Sequence, residues 1–451
     1  MSVTPSSRSL LIRGAQVVSS QGILRADVRA EDGVTVEVAP DLAPRAGEQV
    51  IDAAGLHLFP GIIDPQCHFR EPGNTHKEDL ESGSRAAAAG GVTSFLEMPN
   101  TNPPGTTAAM IRDKYALAST KCHVDFGFFI GATPDNLHEL NSCPEACGIK
   151  VFMGSSTGTL LVSERPDLER IFGNGRKLIA VHAEDDAIIK ANKERFGDKA
   201  TLQDHPFIRS PEAALKATTL AVELSKKYNR RLHILHTTTE EEADFLRKEK
   251  VEGLISAEVC PQHFLLIAPE VYDKLGTYAQ MNPPLREARH GKALWKALVD
   301  GVIDCTATDH APHTREEKDK GYPLAPAGMP GVETLFPLML DRALGGLCSL
   351  TDLAKWMSEA PARLYAMVGK GKVAAGFDAD YTLVDTATSR TIHNGQLQTR
   401  VNWSPYDGWT LKGAVKKTIV RGGMAYDEGA AEKFATPGWG RPIRFDASWE
   451  K

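Results

Sequence analysis

Nothing in this sequence suits it to enter a membrane, grip a nucleic acid or staple itself with disulfides. No apolar run is long enough to span a bilayer, and the opening "MSVTPSSRSLLIRGAQVV" has only a short apolar step before Arg13, without the apolar core of a signal peptide. No long basic run exists and the formal net charge is -6, so the clustered Lys and Arg of a phosphate-backbone footprint are missing. The seven cysteines are odd in number and scattered, which argues against a disulfide framework and for a reducing compartment. Cys143 and Cys147 are the one close pair, and no second pair follows to complete a zinc site. Low-complexity segments are absent too. These absences lead us to expect a soluble, cytoplasmic protein that acts on a small molecule, with no nucleic-acid or membrane partner.

What the sequence does have is chain enough for more than one core: 451 residues, 42% hydrophobic and 24% charged. The first sixty residues ("SLLIRGAQVV", "ILRADVRAED", "TVEVAP", "EQVIDAAG", "LHLFPG") alternate β-formers with Gly, Asp and Pro, and the same texture returns after about residue 370. Residues 1–59 and 369–451 are therefore expected to form one small composite β-sandwich domain around an inserted middle, 60–368. That middle alternates eight apolar strand candidates, from "GIIDPQCHFR" to "VIDCTATDHAPH", with helix-like segments such as "SPEAALKATTLAVELSKKYN", where Ser210 and Pro211 suit an N-cap and first turn. Eight β/α repeats predict a (β/α)8 TIM barrel, whose active site gathers at the C-terminal ends of the strands.

Those ends carry Gln66, His68 and Arg70; Asn100; Lys150; His182; His236; and Asp309 with His313. Singly, each has a plain explanation: a hydrogen-bonded structural histidine, Arg70 paired with Glu71 or Glu78, Lys150 in a salt bridge, Asn100 and Asn282 capping turns. Together, imidazoles, a carboxylate and a lysine converging on one mouth suit a metal centre, because Zn²⁺ takes His and carboxylate ligands from several directions. Lys150 is the oddity, since an ammonium repels a metal and is costly at an apolar strand end unless paired or modified. Arg70 offers a planar fork for a substrate carboxylate. His233 faces away from His236 and reads as structural, His263 stays undecided, and His57, His76, His123 and His138 have no identifiable partner.

The set "DPQCHFREPG", "GGVTSFLEMPNT", "IKVFMGSS", "VHAED", "LHILHTTT", "MNPPLR", "TDHAPHT" and "PAGMPGVET" resembles the dihydroorotases of the long, type I branch of the amidohydrolase superfamily. The resemblance covers roughly residues 55 to 335. It implies reversible hydrolysis of (S)-dihydroorotate to N-carbamoyl-L-aspartate in pyrimidine (UMP) synthesis, by metal-bound hydroxide with Asp309 as general base and acid. It also implies one or two Zn²⁺ ions: His68 and Asp309 on the buried one, His182 and His236 on the second, and a Lys150 carbamate, formed from CO2, bridging them. Arg70, Asn100, Asn282, His313, Ala327 and Gly328 correspond to its substrate contacts. A homodimer, and an association with aspartate carbamoyltransferase, are family expectations. The departure is Gln66, standing where the family usually has the first His of His-x-His; an amide oxygen is a poorer ligand for Zn²⁺ than imidazole. The rival readings are another cyclic amidohydrolase acting on allantoin or a hydantoin, and a non-catalytic scaffold of aspartate carbamoyltransferase.

Overall fold

The computed structural model describes residues 9–156, 159–446 and 448. Its middle is made of parallel strands buried on both faces, as in Ile62–Cys67 and Val92–Glu97, which is why apolar runs rather than alternation mark them in the sequence. Among the described residues, Ile130–Gly131, Ile149–Phe152, Ile179–His182, Leu232–Ile234, Ile255–Val259 and Cys305–Thr306 form one six-stranded sheet in chain order. Ile62–Cys67, Val92–Glu97 and Asp125–Phe128 form a second, three-stranded one.

Two seams lie between these sheets. At one, Phe129 alone separates the strand Asp125–Phe128 from Ile130–Gly131, and its N–H donates to Glu97 O at 3.0 Å. At the other, a parallel bridge pairs Cys67 with His310, and the His68 N–H donates to His310 O at 2.8 Å. Asp64 draws that second seam together: its carboxylate accepts the Thr308 N–H at 3.1 Å and the Thr308 hydroxyl at 2.5 Å. Each of the eight segments expected as strands contains one, the third in two pieces. Two end early, because Pro261 begins the helix Gln262–Leu265, and because Asp309, at φ 49°, turns the chain out of extended conformation after Cys305–Thr306.

Helices cover the outer segments expected of them, including Leu80–Ala89, Ala108–Ala118, Glu240–Glu249 and Ala288–Val299. The longest, Pro211–Tyr228, starts where the Ser210 side chain accepts the Ala213 N–H and ends at Asn229 in the left-handed region. No helix among the described residues is long and apolar enough to cross a membrane.

Segments from both ends of the chain form one mixed sheet, in the order Gly423–Asp427, Thr410–Val420, Tyr381–Thr391, His57–Pro60, Ser9–Ser19, Gly22–Glu31, Val34–Ala39, with Gln49–Asp52 also paired to Ser9–Ser19. Where a sandwich of separate sheets was expected, hydrogen bonding makes a single eight-stranded sheet. The reason is a register shift between Ile12 and Ala15, around Gly14 at φ 72°. It lets the first half of Ser9–Ser19 pair with Gln49–Asp52 and the second half with His57–Pro60.

Lys370 joins this sheet to the parallel strands. Its Nζ lies 2.6 Å from Asp125, on a parallel strand, 2.9 Å from Asp378 and 2.5 Å from Asp380, which precedes the strand Tyr381–Thr391. The three carboxylates would otherwise make a cation site, and the ammonium fills it. Burial alone would lower the lysine's pKa, but the three acids raise it above its usual range. Lys370→Met should therefore cost about 3–5 kcal/mol in urea unfolding, as buried charges lose their partner. A loss below about 1 kcal/mol would mean that Arg421, which also pairs with Asp125, neutralises the cluster on its own.

Candidate metal centre and substrate cavity

A cavity with about 340 Å³ of atom-free space opens past the ends of the parallel strands. Of the residues singled out in the sequence, Gln66, His68, Arg70, Asn100, Lys150, His182, His236, Asn282, Asp309, Ala327 and Gly328 line it, with Phe152, Ser156 and Ala311. His313 does not; it is buried behind Arg70.

The polar groups fall into two pairs. In the first, His68 Nε2 lies 2.9 Å from Asp309 Oδ1. His68 Nδ1 is 2.6 Å from Asn100 Oδ1, to which it can only donate, so the lone pair of a neutral ring sits on Nε2. Burial lowers the His68 pKa, outweighing the pull of Asp309, so the ring is neutral near pH 7. A ring lone pair then faces a carboxylate oxygen, an arrangement that a cation between them resolves. Gln66 Nε2 also donates to Asp309 Oδ1, at 3.1 Å, while Gln66 Oε1 is buried without a hydrogen-bond partner among the described residues.

In the second pair, His182 Nδ1 lies 3.1 Å from His236 Nε2. His182 Nε2 is 2.8 Å from Glu184 Oε2 and must donate to it, which turns the Nδ1 lone pair inward. Burial lowers the pKa of both rings, so both are neutral. Ligands about 2.0–2.1 Å from a tetrahedral zinc stand roughly 3.3 Å apart, and both pairs approach that edge length. These residues fit a divalent metal.

Lys150 sits between the pairs, close enough for its charge to act on His68, His182, His236 and Asp309. It is buried, its Nζ rests over the Phe152 ring at 4.6 Å, and burial pulls its pKa down to about 7. A lysine that is half neutral near pH 7 can react with CO2, which an ordinary lysine, protonated up to pH 10, does far more slowly. Asp309 goes the other way. Burial would raise its pKa, but the surrounding nitrogens, those of His68 first and then His236 and Lys150, hold it below the usual carboxylate range.

Arg70 is buried, and no carboxylate among the described residues pairs with it; neither Glu71 nor Glu78 takes the role. Glu71 holds Lys121, and Glu78 holds Ser82, Thr399 and the Arg400 N–H. The Arg70 fork is steadied by Pro312 O at 3.3 Å and lies 3.2 Å from His313 Nε2. Because His313 Nδ1 accepts from Lys77 at 3.0 Å, its Nε2–H is left to donate to Ala327 O at 3.1 Å. His313 thus bonds the far wall of the cavity and packs against Arg70 from behind. Asn282 is oriented by His205, whose Nε2 is 3.1 Å from its Oδ1. Arg70, His236 and Asp309 all have positive φ, at 65°, 34° and 49°. Backbone strain of that kind concentrates at functional sites.

A model of the amidohydrolase family matches residues 57–164 and 171–425. The chain belongs to the amidohydrolase family. An allantoinase of Streptomyces avermitilis is 35% identical over 427 residues, 92% of this chain and 94% of its own length. A dihydroorotase of Halobacterium salinarum is 38% identical over 397 residues, 86% and 91%. The structure of an L-hydantoinase (dihydropyrimidinase) from Arthrobacter aurescens is similar at TM-score 0.91 and 29% identity, over 96% of this chain and 99% of that one. As an amidohydrolase the chain is a hydrolytic enzyme, and its two parallel sheets correspond to the (β/α)8 barrel that family and structural neighbour imply.

Around this amidohydrolase cavity stand residues that sequence reasoning passed over. Glu184 was on view in "VHAED", two positions after His182 and hence on the same face of an extended segment. Arg209 completes it, bonding both Glu184 and Ser155 O. Lys318, lost within a charged run, is buried and donates to Gln280 O, Pro326 O and Gly328 O, fixing the loop that supplies Ala327 and Gly328. Gly328 leaves no room for a side chain, since a Cβ would stand 2.4 Å from Ala311 O. His263 bonds Pro283 O, and His233, between Ser256 and Glu258, belongs to a buried cluster with Cys305 outside the cavity.

The buried lysine has a measurable signature. Lys150 titrates near 10.5 in the unfolded chain and near 7 in the folded, metal-free protein, so between those values the unfolded state binds more protons and stability rises with pH. In metal-free, CO2-free buffer Lys150→Met should be more stable than wild type, by a margin that is full below pH 7 and shrinks from there towards pH 10. A pH-independent margin would show that Lys150 is not a buried, depressed amine.

Proposed function

We propose that this amidohydrolase is a dihydroorotase, which interconverts (S)-dihydroorotate and N-carbamoyl-L-aspartate. The observation that carries the reading is Arg70: a buried guanidinium on the cavity wall with no acid of its own. Its charge needs an anion from outside, and dihydroorotate brings a ring carboxylate, whereas allantoin and simple hydantoins bring none. The dihydroorotase relatives support the same choice, and the allantoinase and hydantoinase relatives define the alternative to be tested.

Lys150 as a carbamate, His182 and His236, with His68 and Asp309 opposite, would hold zinc, and Gln66 stands beside them against Asp309. A metal bound by them would supply a water acidic enough to ionise near neutral pH and would polarise the ring carbonyl. The chain's own residues do the rest. Arg70, held by Pro312 O and backed by His313, grips the carboxylate and sets the ring against Asp309. Asn282 and the backbone of Ala327 and Gly328 bracket the ring amides. As water oxygen bonds to the ring carbonyl carbon, Asp309 takes up a proton from it; as the carbon–nitrogen bond breaks, Asp309 passes that proton to the departing nitrogen. With its pKa held below the usual carboxylate range, Asp309 is ionised in the empty cavity and so free to accept the proton.

Zinc-loaded protein in bicarbonate buffer should open dihydroorotate and leave allantoin and hydantoin almost untouched; a preference for either of those would replace this reading with theirs. Arg70→Met should lower kcat/KM for dihydroorotate about 10- to 100-fold, the worth of a charged hydrogen bond. Asp309→Asn should lower kcat by about 10²–10⁴-fold, and an active Asp309→Asn enzyme would remove it as the proton carrier.

A further inference from the structure

The two pairs of ligands are unequal, and Gln66 is the reason. On one side stand two imidazoles, His182 Nδ1 and His236 Nε2, 3.1 Å apart, with Lys150 as the third group. Glu184 fixes the His182 ring, and Arg209 fixes Glu184. Around Asp309 Oδ1 stand one imidazole, one carboxylate and one neutral amide. The amide does not offer its oxygen to that edge. Its Nε2 is spent on Asp309 Oδ1, the same atom that faces His68, so Gln66 acts there as a donor. Turning the amide over would set Oε1 against the Asp309 carboxylate, oxygen to oxygen, and give up the one hydrogen bond that Gln66 makes across the cavity floor.

Resting on the reading of this cavity as a metal centre, we infer that the chain holds one divalent ion tightly, on the His182, His236 and Lys150 side, and a second only weakly, with Gln66 setting the difference by hydrogen-bonding Asp309 in place of ligating metal. The consequence for the chemistry is that Asp309 keeps a donor even when the second ion is absent: Gln66 Nε2 holds one carboxylate oxygen, and the other is left to move a proton. The inference concerns metal and not substrate, so it stands or falls apart from the choice of dihydroorotate.

The test is a count of bound zinc. Metal-stripped full-length protein in bicarbonate buffer is titrated with zinc, followed by calorimetry and by elemental analysis after gel filtration. Wild type should retain one equivalent, with a second site at least about tenfold weaker. His182→Asn should abolish the tight site, and His68→Asn should leave it in place. Gln66→His should bring the two affinities together and retain two equivalents. Two equivalents bound alike by wild type, or a gap that Gln66→His leaves unchanged, would overturn the inference. A folded wild type that retains no zinc at all would overturn the metal centre itself. Unequal binding in a protein that leaves dihydroorotate intact would keep the inference and discard the substrate.

Discussion

A lysine amine buried on a parallel strand, with no acid in contact among the described residues, is the constraint around which the cavity is organised. The strand Ile149–Phe152 delivers Lys150 among His68, His182, His236 and Asp309, and burial takes away much of its charge. Were it an ordinary ammonium it would repel any cation that the neighbouring imidazoles attract. As a neutral amine it is compatible with metal, and as a carbamate it becomes an anionic ligand. The neighbours show the same bias. The histidines are held neutral by burial and Asp309 is held ionised by its partners, so each group stands in the protonation state that a cation would use. Between His68 and Asp309 a ring lone pair faces a carboxylate oxygen, and a bound ion would turn that repulsion into coordination.

Such a cavity is costly to maintain, and the surrounding structure shows how it is held open. Four inward-facing groups have an outward tether: Asn100 behind His68, Glu184 and Arg209 behind His182, His205 behind Asn282, and Pro312 O behind Arg70. Lys318 does for the backbone what these do for side chains, spending its three donors on three carbonyls of two loops. The positive φ of Arg70, His236 and Asp309 belongs to the same account, because strained backbone persists only where packing over-determines it. Asp64, clamped to Thr308, keeps the first and last parallel strands adjacent, and therefore keeps His68 and Asp309 within 2.9 Å.

What the sequence makes legible follows from which interactions are local. Eight apolar runs with polar C-terminal ends are local facts, and they led to eight of the cavity residues; Asn282 came from a loop, and Ala327 and Gly328 from the family resemblance. Ser210 and Pro211, a cap and a first turn three residues deep, were equally readable. The tethers were not, because each joins positions far apart in the chain: Arg209 reaches Glu184, Lys318 reaches Gln280, Lys370 reaches Asp125. A charged run such as "TREEKDKG" looks like a solvated surface until folding buries one of its lysines. His313 was readable as a residue of the site but not as one standing behind Arg70, since one strand end presents both wall and backing. The single side sheet was hidden for a similar reason, since its continuity depends on a register shift at Gly14 and on pairing between the two ends of the chain.

Overall likeness is a poor guide to substrate in this family, because scaffold and metal ligands serve every cyclic amide alike. An allantoinase and a dihydroorotase match this chain at 35% and 38% identity, a difference too small to select a reaction. Selection has to come from groups whose energy depends on the substrate. In the proposed reading, Asn282, Ala327 and Gly328 would meet amide edges that all the candidate rings possess, and so would favour a ring without choosing one. Arg70 is different: a buried cation that pairs with no acid among the described residues would be left uncompensated by a neutral ring and satisfied by a carboxylate. Burial brings its pKa down to about 10, which measures how much solvation it has lost and leaves it charged at neutral pH. The same physics that makes Arg70 unfavourable in the empty cavity makes it selective in the filled one.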